Sequence, residues 1–88
     1  MKGFRRTAQF KRRYKQRIAP DEELRKAFRE SLETFLVDRT LVADHPLERS
    51  MSGRRAFSIN DDYRVVYMEK DEYFLLVDVG MHEQVYRR

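Results

Sequence analysis

Three short runs of β-branched and aromatic residues follow one another in the last third of the chain. They cover residues 56–59, 63–68 and 73–79, and such residues favour the pleated surface of a sheet. Polar segments rich in Asp and Asn separate the runs, and these residues favour tight turns. The pattern predicts three successive strands joined by hairpins, which together make an antiparallel meander.

The first part of the chain has apolar residues at helical spacing instead. Phe10, Tyr14 and Ile18 recur every four residues, which predicts a helix over residues 8–18 with its other faces in water. Thr7 is the predicted N-cap, because its hydroxyl can accept a hydrogen bond from a backbone N–H of the first turn. Residues 2–6 before it are a candidate first strand with Phe4 as its buried residue.

A second helix is predicted to begin at the acidic residues 21–23, whose charge favours the positive end of a helix dipole. Pro20 separates it from the first helix, since proline lacks the N–H that would continue the pattern. One face of the second helix is apolar at 3.6-residue spacing. The residues of that face are Leu24, Ala27, Phe28, Leu32, Phe35 and Leu36.

Two helices with charged backs need a partner that covers their apolar stripes. The meander supplies it, so the 88 residues are predicted to form one α+β domain, 1–88, with both helices on one face of an antiparallel sheet. The regular pattern fails between residues 38 and 55, and a connection of that length in a small domain is usually functional or disordered. Four apolar residues are expected to hold it to the core, namely Leu41, Val42, Leu47 and Met51.

The composition of the chain indicates its cellular compartment and bears on metal and cofactor binding. The chain has no cysteine, which excludes a disulfide framework and a thiolate metal site and favours a reducing cytoplasm. No apolar run reaches the length of a membrane span, and the N-terminus lacks the apolar region of a signal peptide. Two histidines and scattered acids have no metal-site spacing. We therefore expect a soluble cytoplasmic protein without a metal or another cofactor and without a membrane partner.

Positive charge is concentrated at one end of the chain. The formal net charge is +4, but residues 1–20 hold eight Lys or Arg and no acid, so the rest of the chain is acidic overall. Such a cluster indicates a polyanionic partner. A solvated basic helix with no special partner is an equally good interpretation of the cluster alone.

The chemistry-bearing residues of the C-terminal half lie near predicted strand ends. His82 and Tyr86 follow the third strand, and Arg64 alternates with apolar neighbours in the second. An imidazole transfers protons near neutral pH, and a guanidinium offers a fixed fork of donors to a phosphate. The plain structural role of Arg64 is an ion pair with Asp78 or Glu69 on an adjacent strand.

Several of these segments, in this order, resemble the RelE/ParE superfamily of bacterial and archaeal toxins, most closely the RelE and YafQ-like mRNA interferases. The segments are His45-Pro46-Leu47, Phe57-Ser58-Ile59, Asp62-Tyr63-Arg64-Val65-Val66-Tyr67 and Val77-Asp78-Val79-Gly80-Met81-His82-Glu83-Gln84-Val85-Tyr86. The resemblance covers essentially the whole chain. It implies a small α+β fold, a cognate antitoxin, and cleavage of mRNA in the ribosomal A site without metal.

The resemblance also implies roles for particular residues. Arg64 matches the strand arginine that contacts the scissile phosphate, and Tyr86 matches the C-terminal aromatic that stacks on a base or helps to activate the 2′-hydroxyl. His82, His45 and Asp62 match the remaining polar groups of the family's catalytic site. Two positions depart from the pattern: Ser58 stands where the YafQ-like group has histidine, and the paired lysines of RelE have no clean match.

Basic residues outside this group are expected to bind ribosomal RNA phosphates. They are Lys11, Arg12, Lys15, Arg54, Arg55 and Arg87, and binding of this kind falls steeply with salt. Two alternatives remain open at this point: a ParE-like toxin of the same fold that inhibits DNA gyrase without catalysis, and a catalytically degenerate partner of an antitoxin.

Overall fold

A computed structural model describes residues 2–86, which form a five-stranded sheet with helices on both faces. In chain order the elements are β1 (Gly3–Arg6), α1 (Ala8–Arg17), α2 (Glu22–Val37), β2 (His45–Pro46), β3 (Arg55–Ser58), β4 (Tyr63–Glu69), β5 (Tyr73–Met81) and α3 (His82–Val85). Short 3₁₀ turns, Arg39–Val42 and Arg49–Met51, lie on either side of β2. The predicted α+β architecture is confirmed.

The strand order across the sheet is β1-β5-β4-β3-β2. The meander of β3, β4 and β5 is antiparallel as predicted, and β2 adds a short antiparallel edge. The first strand exists, but it pairs parallel to β5, with Phe4 opposite Phe74. The sheet is therefore mixed rather than purely antiparallel.

Both long helices begin where the sequence predicts. The Thr7 hydroxyl accepts a hydrogen bond from the Phe10 N–H at 3.0 Å, and the Asp21 carboxylate accepts one from the Leu24 N–H at 3.2 Å. These contacts satisfy backbone donors that the first turn of a helix leaves without an intrahelical partner. The N-terminal signals of both helices are local, so the sequence shows them directly.

Aromatic side chains fill the face of the sheet that is covered by α1 and α2, here called the helix face. Its buried cluster contains Phe10, Ile18, Leu24, Phe28, Phe35, Val42, Phe57, Val65, Tyr67, Phe74, Leu76 and Val79. Leu36 was predicted to belong to it, but its side chain is 46% exposed. Ser31 is buried on α2 instead, and its hydroxyl donates to the Phe28 carbonyl. The prediction for Leu36 was wrong because the buried stripe of α2 is narrower than the apolar pattern.

Smaller residues fill the opposite face, here called the α3 face because α3 packs on it. Ala56, Val66, Val77 and Val85 form its buried cluster. The β4–β5 register shifts between Val66, which pairs with Asp78, and Tyr67, which pairs with Leu76. Such a bulge leaves an extra residue on one strand, here Val77, and it changes which side of the sheet the residues beyond it face.

The free edge of β5 beyond β1 is bordered by α1. The Val77 carbonyl accepts hydrogen bonds from the Thr7 hydroxyl and the Gln9 amide, and the Val79 carbonyl accepts one from Arg17. These side chains satisfy carbonyl groups that a neighbouring strand would otherwise satisfy. Polar residues of α1 therefore contact β5 directly, which fixes the helix at this edge.

The connection between α2 and β3 is tied down at fewer points than predicted. Val42 is buried on the helix face, and Leu47 and Met51 pack against the cluster of the α3 face. Leu41 is 68% exposed, so its predicted role in anchoring the segment was wrong. Among residues 2–86, no helix is long and apolar enough to cross a membrane.

Candidate active site

The short helix α3 brings an imidazole and a phenol together. The Gln84 amide oxygen accepts a hydrogen bond from the Met81 N–H at 2.7 Å and closes the start of the helix. The Tyr86 N–H donates to the His82 carbonyl at its end. Because residues four apart lie on one side of a helical turn, the His82 and Tyr86 rings meet edge to face, with centroids 4.5 Å apart.

Arg64 projects from β4 on the α3 face of the sheet, the face that carries His82 and Tyr86. Its strand neighbours are Ser58 on β3 and Gly80 on β5, and Gly80 lies just before α3. Its guanidinium donates to the carbonyls of Asn60 and Asp61 in the β3–β4 turn. The alternative role of Arg64, an ion pair with Asp78 or Glu69, is not found among residues 2–86, since those two carboxylates pair with other arginines and a lysine.

Burial raises the pKa of the Tyr86 hydroxyl above its usual value, and the nearby positive charge of Arg64 offsets this in part. The hydroxyl is buried and has no hydrogen-bond partner among the described residues. A phenol in these surroundings stays neutral at physiological pH. Tyr86 is therefore suited to positioning or stacking, and not to removing a proton as a phenolate.

Asp62 lies beside the start of α3. Its backbone carbonyl accepts a hydrogen bond from the His82 N–H at 3.2 Å. The side chain of Asn60 accepts bonds from the N–H groups of Asp62 and Tyr63, which fixes this turn as an Asx motif. The turn and the helix are thus joined directly, although they are 20 residues apart in sequence.

His45 lies farther away, on the edge strand β2. It pairs with Ala56, whereas Ser58 pairs with Arg64, so ordinary strand spacing and rise place its Cα roughly 12 Å from that of Arg64. Its Nδ1 atom is 2.9 Å from the Ala43 carbonyl and its side chain is exposed. Four of the five predicted site residues therefore lie close together, and His45 stands apart from them.

The predicted RNA-binding residues are divided between several surfaces. Lys11, Arg12 and Lys15 are exposed on α1, whereas Arg54 lines a cleft on the α3 face. Arg55 lies on the helix face, where it bonds to Asp44 and to the Tyr67 hydroxyl. Arg87 is outside the described residues. Strand alternation is the signal that separates Arg54 from Arg55, because Arg55 falls in step with the buried Phe57.

The cleft that Arg54 lines is polar and has a volume of about 400 Å³. Its walls come from α1, from the segment before β3, from β5 and from α3: Gln9, Arg13, Ser50, Met51, Arg54, Asp78, Gln84 and Val85. Sequence reasoning named Arg54 and the basic residues of the first helix as RNA-binding and Asp78 as a possible partner of Arg64, but it did not bring these residues together. Its central contact, between Arg13 and Asp78, joins residues 65 positions apart, and no local pattern reveals such a contact.

Among residues 2–86, no cluster of three or more His, Asp or Glu side chains is arranged to hold a metal ion. Proton transfer by the imidazole and charge stabilisation by the guanidinium are the chemistry that the residues around α3 can supply.

Solved structures of small bacterial toxins share this fold. YafQ from E. coli strain BL21(DE3) has a TM-score of 0.74 and 20% sequence identity, with 98% of this chain and 99% of that chain covered. RelBE2 of Mycobacterium tuberculosis, a toxin–antitoxin complex, has a TM-score of 0.73 and 18% identity over 92% and 98%. The YoeB dimer of Staphylococcus aureus has a TM-score of 0.73 and 20% identity over 92% and 97%. The fold is that of the RelE-like toxins.

A family model described as a bacterial toxin of type II toxin–antitoxin systems, YafQ, matches residues 2–87. The chain belongs to this YafQ family of toxins. Among curated protein sequences, none matches it. The predicted resemblance to the YafQ-like branch is thereby confirmed for almost the whole chain.

Proposed function

We propose that this toxin is an endoribonuclease that cuts mRNA in the ribosomal A site without a metal ion and so inhibits translation. The observation that supports it best is the arrangement around α3. The His82 and Tyr86 rings are 4.5 Å apart, the charge of Arg64 acts on the Tyr86 hydroxyl, and the backbone of Asp62 bonds to His82. Membership of the YafQ family agrees with this activity.

In the proposed reaction the 2′-oxygen of one nucleotide attacks the adjacent phosphorus. The O2′–P bond forms, the P–O5′ bond breaks, and a proton moves from the 2′-hydroxyl to a base while an acid protonates the leaving 5′-oxygen. His82 takes part in proton transfer, because its ring is exposed beside the other groups and histidine is the side chain suited to this role near neutral pH.

Arg64 and Tyr86 serve the same step in different ways. Arg64 donates to the phosphate oxygens as negative charge builds on them, which a positioned guanidinium does without reorganisation. Tyr86 holds or stacks on a base as a neutral phenol, in agreement with its raised pKa. Asp62, next to His82, is the second candidate for proton transfer, and His45 contacts the substrate from the edge of the sheet.

We further propose that the toxin binds a cognate antitoxin and acts on ribosomes in the cytoplasm. A solved E. coli DinJ–YafQ complex has a TM-score of 0.72 and 23% identity to this chain, and RelBE2 is likewise a toxin–antitoxin complex. In this proposal the exposed basic residues of α1 contact ribosomal RNA phosphates. These contacts weaken as salt rises.

Primer extension on mRNA bound to translating ribosomes tests the activity. The toxin is expected to create new 3′ ends in the A site, and His82→Ala or Arg64→Ala is expected to lower cleavage and growth inhibition by at least about tenfold. Glu83→Ala is the matched control, because Glu83 is exposed on the same short helix and has no proposed role.

Two outcomes would contradict the proposal. Full activity of a folded His82→Ala, Arg64→Ala double variant would show that the site lies elsewhere. Intact mRNA together with blocked gyrase supercoiling would assign the toxin to the ParE-like class. Thermal unfolding of each variant checks that a loss of activity does not reflect a loss of fold.

A further inference from the structure

The polar cleft of about 400 Å³ on the α3 face has no part in the chemistry described above. It lies between α1, the segment before β3, β5 and α3. The positively charged residues that line it are Arg13 and Arg54, and its acid is Asp78.

Positive charge exceeds negative charge around this cleft. Asp78 faces two guanidinium groups, with Arg13 at 3.0 Å and Arg17 at 3.7 Å, and its second oxygen also accepts the Val79 N–H. Arg54 has no side-chain hydrogen bond or ion pair to any other residue in the 2–86 range. The cleft and its border thus hold three arginines and one carboxylate, which faces Arg13 and Arg17, and Arg54 remains available for an outside anion.

Two of the arginines at the cleft, Arg13 and Arg17, are held in place before any ligand arrives. Asp78 fixes Arg13, whose side chain remains 32% exposed. Arg17 donates to the Val79 carbonyl and lies against Gly80, where a Cβ atom would come within 2.7 Å of both Arg17 and Gln84. A guanidinium oriented in this way loses little freedom when it binds a phosphate.

The cleft and the proposed cleavage site lie on either side of one helical turn. Gln84 and Val85 of α3 line the cleft, while His82 and Tyr86 carry the paired rings of the same helix. A helix with its side chains is about 10 Å across, a distance that a few nucleotides of extended strand span.

We infer that this cleft binds a second phosphodiester of the same RNA strand, close to the phosphodiester that is cut. Arg13 and Arg54 are the residues that bind it. The inference rests on the proposed function for the identity of the ligand, a single-stranded RNA. The plain alternative is that the Arg13–Asp78–Arg17 contacts only hold α1 against β5. In that case Arg54 has no role in binding, and its removal leaves affinity unchanged.

Binding of a fully 2′-O-methylated RNA oligonucleotide tests the inference, because without free 2′-hydroxyls it cannot be cut. Fluorescence anisotropy over a range of salt concentrations is expected to show about tenfold weaker binding for Arg54→Gln. The slope of log K against log salt should fall by about 0.7, the value for one phosphate contact on a single strand. Arg29→Gln, the same charge change at an exposed site on α2, is the control and should bind like the unaltered toxin.

A neutral methylphosphonate linkage, moved along the oligonucleotide, identifies the phosphate. At one position it should weaken binding by the unaltered toxin but not by Arg54→Gln. Arg13→Gln should behave like Arg54→Gln if circular dichroism shows that the Arg13→Gln variant is folded. If Arg13→Gln does not fold, the result for Arg54→Gln alone tests the inference. Equal losses for Arg54→Gln and Arg29→Gln, or no binding by the unaltered toxin, would overturn the inference.

The failure of this inference is distinguishable from failure of the proposed function. If ribosomal mRNA stays intact while oligonucleotide binding depends on Arg54, the cleavage proposal fails and the phosphate site stands. If mRNA is cut in the A site and Arg54→Gln binds the oligonucleotide like the unaltered toxin, the nuclease proposal stands and the phosphate site fails.

Discussion

The two faces of the sheet are built from different side chains. On the helix face, the Phe35 ring lies within 4.9–5.8 Å of the rings of Phe4, Phe57, Tyr67 and Phe74. The buried cluster of the α3 face consists of alanine and valine, with a polar cleft beside it. Aromatic burial contributes most to stability in a small domain. The helix face therefore carries most of the folding free energy, which leaves the α3 face open to polar chemistry.

The largest effect is expected at the centre of the helix face. Phe35→Ala removes a ring that is 2% exposed and should lower the free energy of unfolding by about 3–5 kcal/mol, much of the total for a domain of this size. Urea unfolding followed by circular dichroism measures it. Val37→Ala, at a position that is 84% exposed on the same helix, should change little. Equal effects of the two substitutions on the free energy of unfolding would refute the claim that the aromatic cluster of the helix face stabilises the fold.

A matched pair of Tyr→Phe substitutions sharpens the comparison. The Tyr67 hydroxyl donates to Asp44 and accepts from Arg55, and burial together with the Asp44 contact raises its pKa. Removing it deletes a buried hydrogen bond to the Asp44 carboxylate, which keeps its bonds to Arg55, so Tyr67→Phe should cost about 1–3 kcal/mol. The buried Tyr86 hydroxyl has no partner among residues 2–86, so Tyr86→Phe should leave stability unchanged or raise it slightly.

Growth inhibition by Tyr86→Phe then separates two roles for this ring. Stacking requires only the aromatic surface, so the variant should remain toxic if Tyr86 positions a base. A loss of more than about tenfold in a stable variant would assign a chemical role to the hydroxyl. A large fall in the free energy of unfolding of Tyr86→Phe would instead show that the hydroxyl stabilises the fold.

The smallest effect concerns an ion-pair cluster at the margin of the helix face. Hydrogen bonds from Arg39 and then Lys2 lower the pKa of Glu69 to about 2, from an ordinary value of 4.5. The stabilisation is present above pH 4.5 and is lost as the pH falls towards 2. Because the Glu69 side chain is 38% exposed, it should amount to less than about 1 kcal/mol.

Unfolding measured between pH 5 and about 2 tests this contribution. Glu69→Gln should flatten part of the decline in stability over that window, whereas Glu83→Gln on the α3 face should not. An unchanged pH dependence in Glu69→Gln would mean that solvent screens the cluster completely.

Features with local causes were predictable from the sequence. The three meander strands, the Thr7 cap, the acidic start of α2 and the two long helices follow from periodicity and end signals within a few positions. The residues of the candidate site were also accessible, because His82 and Tyr86 follow a predicted strand, Arg64 belongs to another, and the family resemblance names all three. The helix α3 that joins His82 to Tyr86 was not predicted. The hydrogen-bond partners of Arg64 were not predictable, since its guanidinium donates to carbonyls of its own hairpin turn and not to a carboxylate on a neighbouring strand.

The amino-acid sequence by itself determined which segments form the meander strands and the two long helices, where those helices start, and which family of toxins the chain resembles. Only the tertiary structure decided that β1 pairs parallel to β5, that a bulge at Val77 brings Asp78 to the α3 face, and that Arg13 meets it there. The physical reason is range. Propensity and capping act over a few residues, whereas the β1–β5 pairing and the Arg13–Asp78 contact join residues 70 and 65 positions apart, and only packing of the whole sheet brings them together.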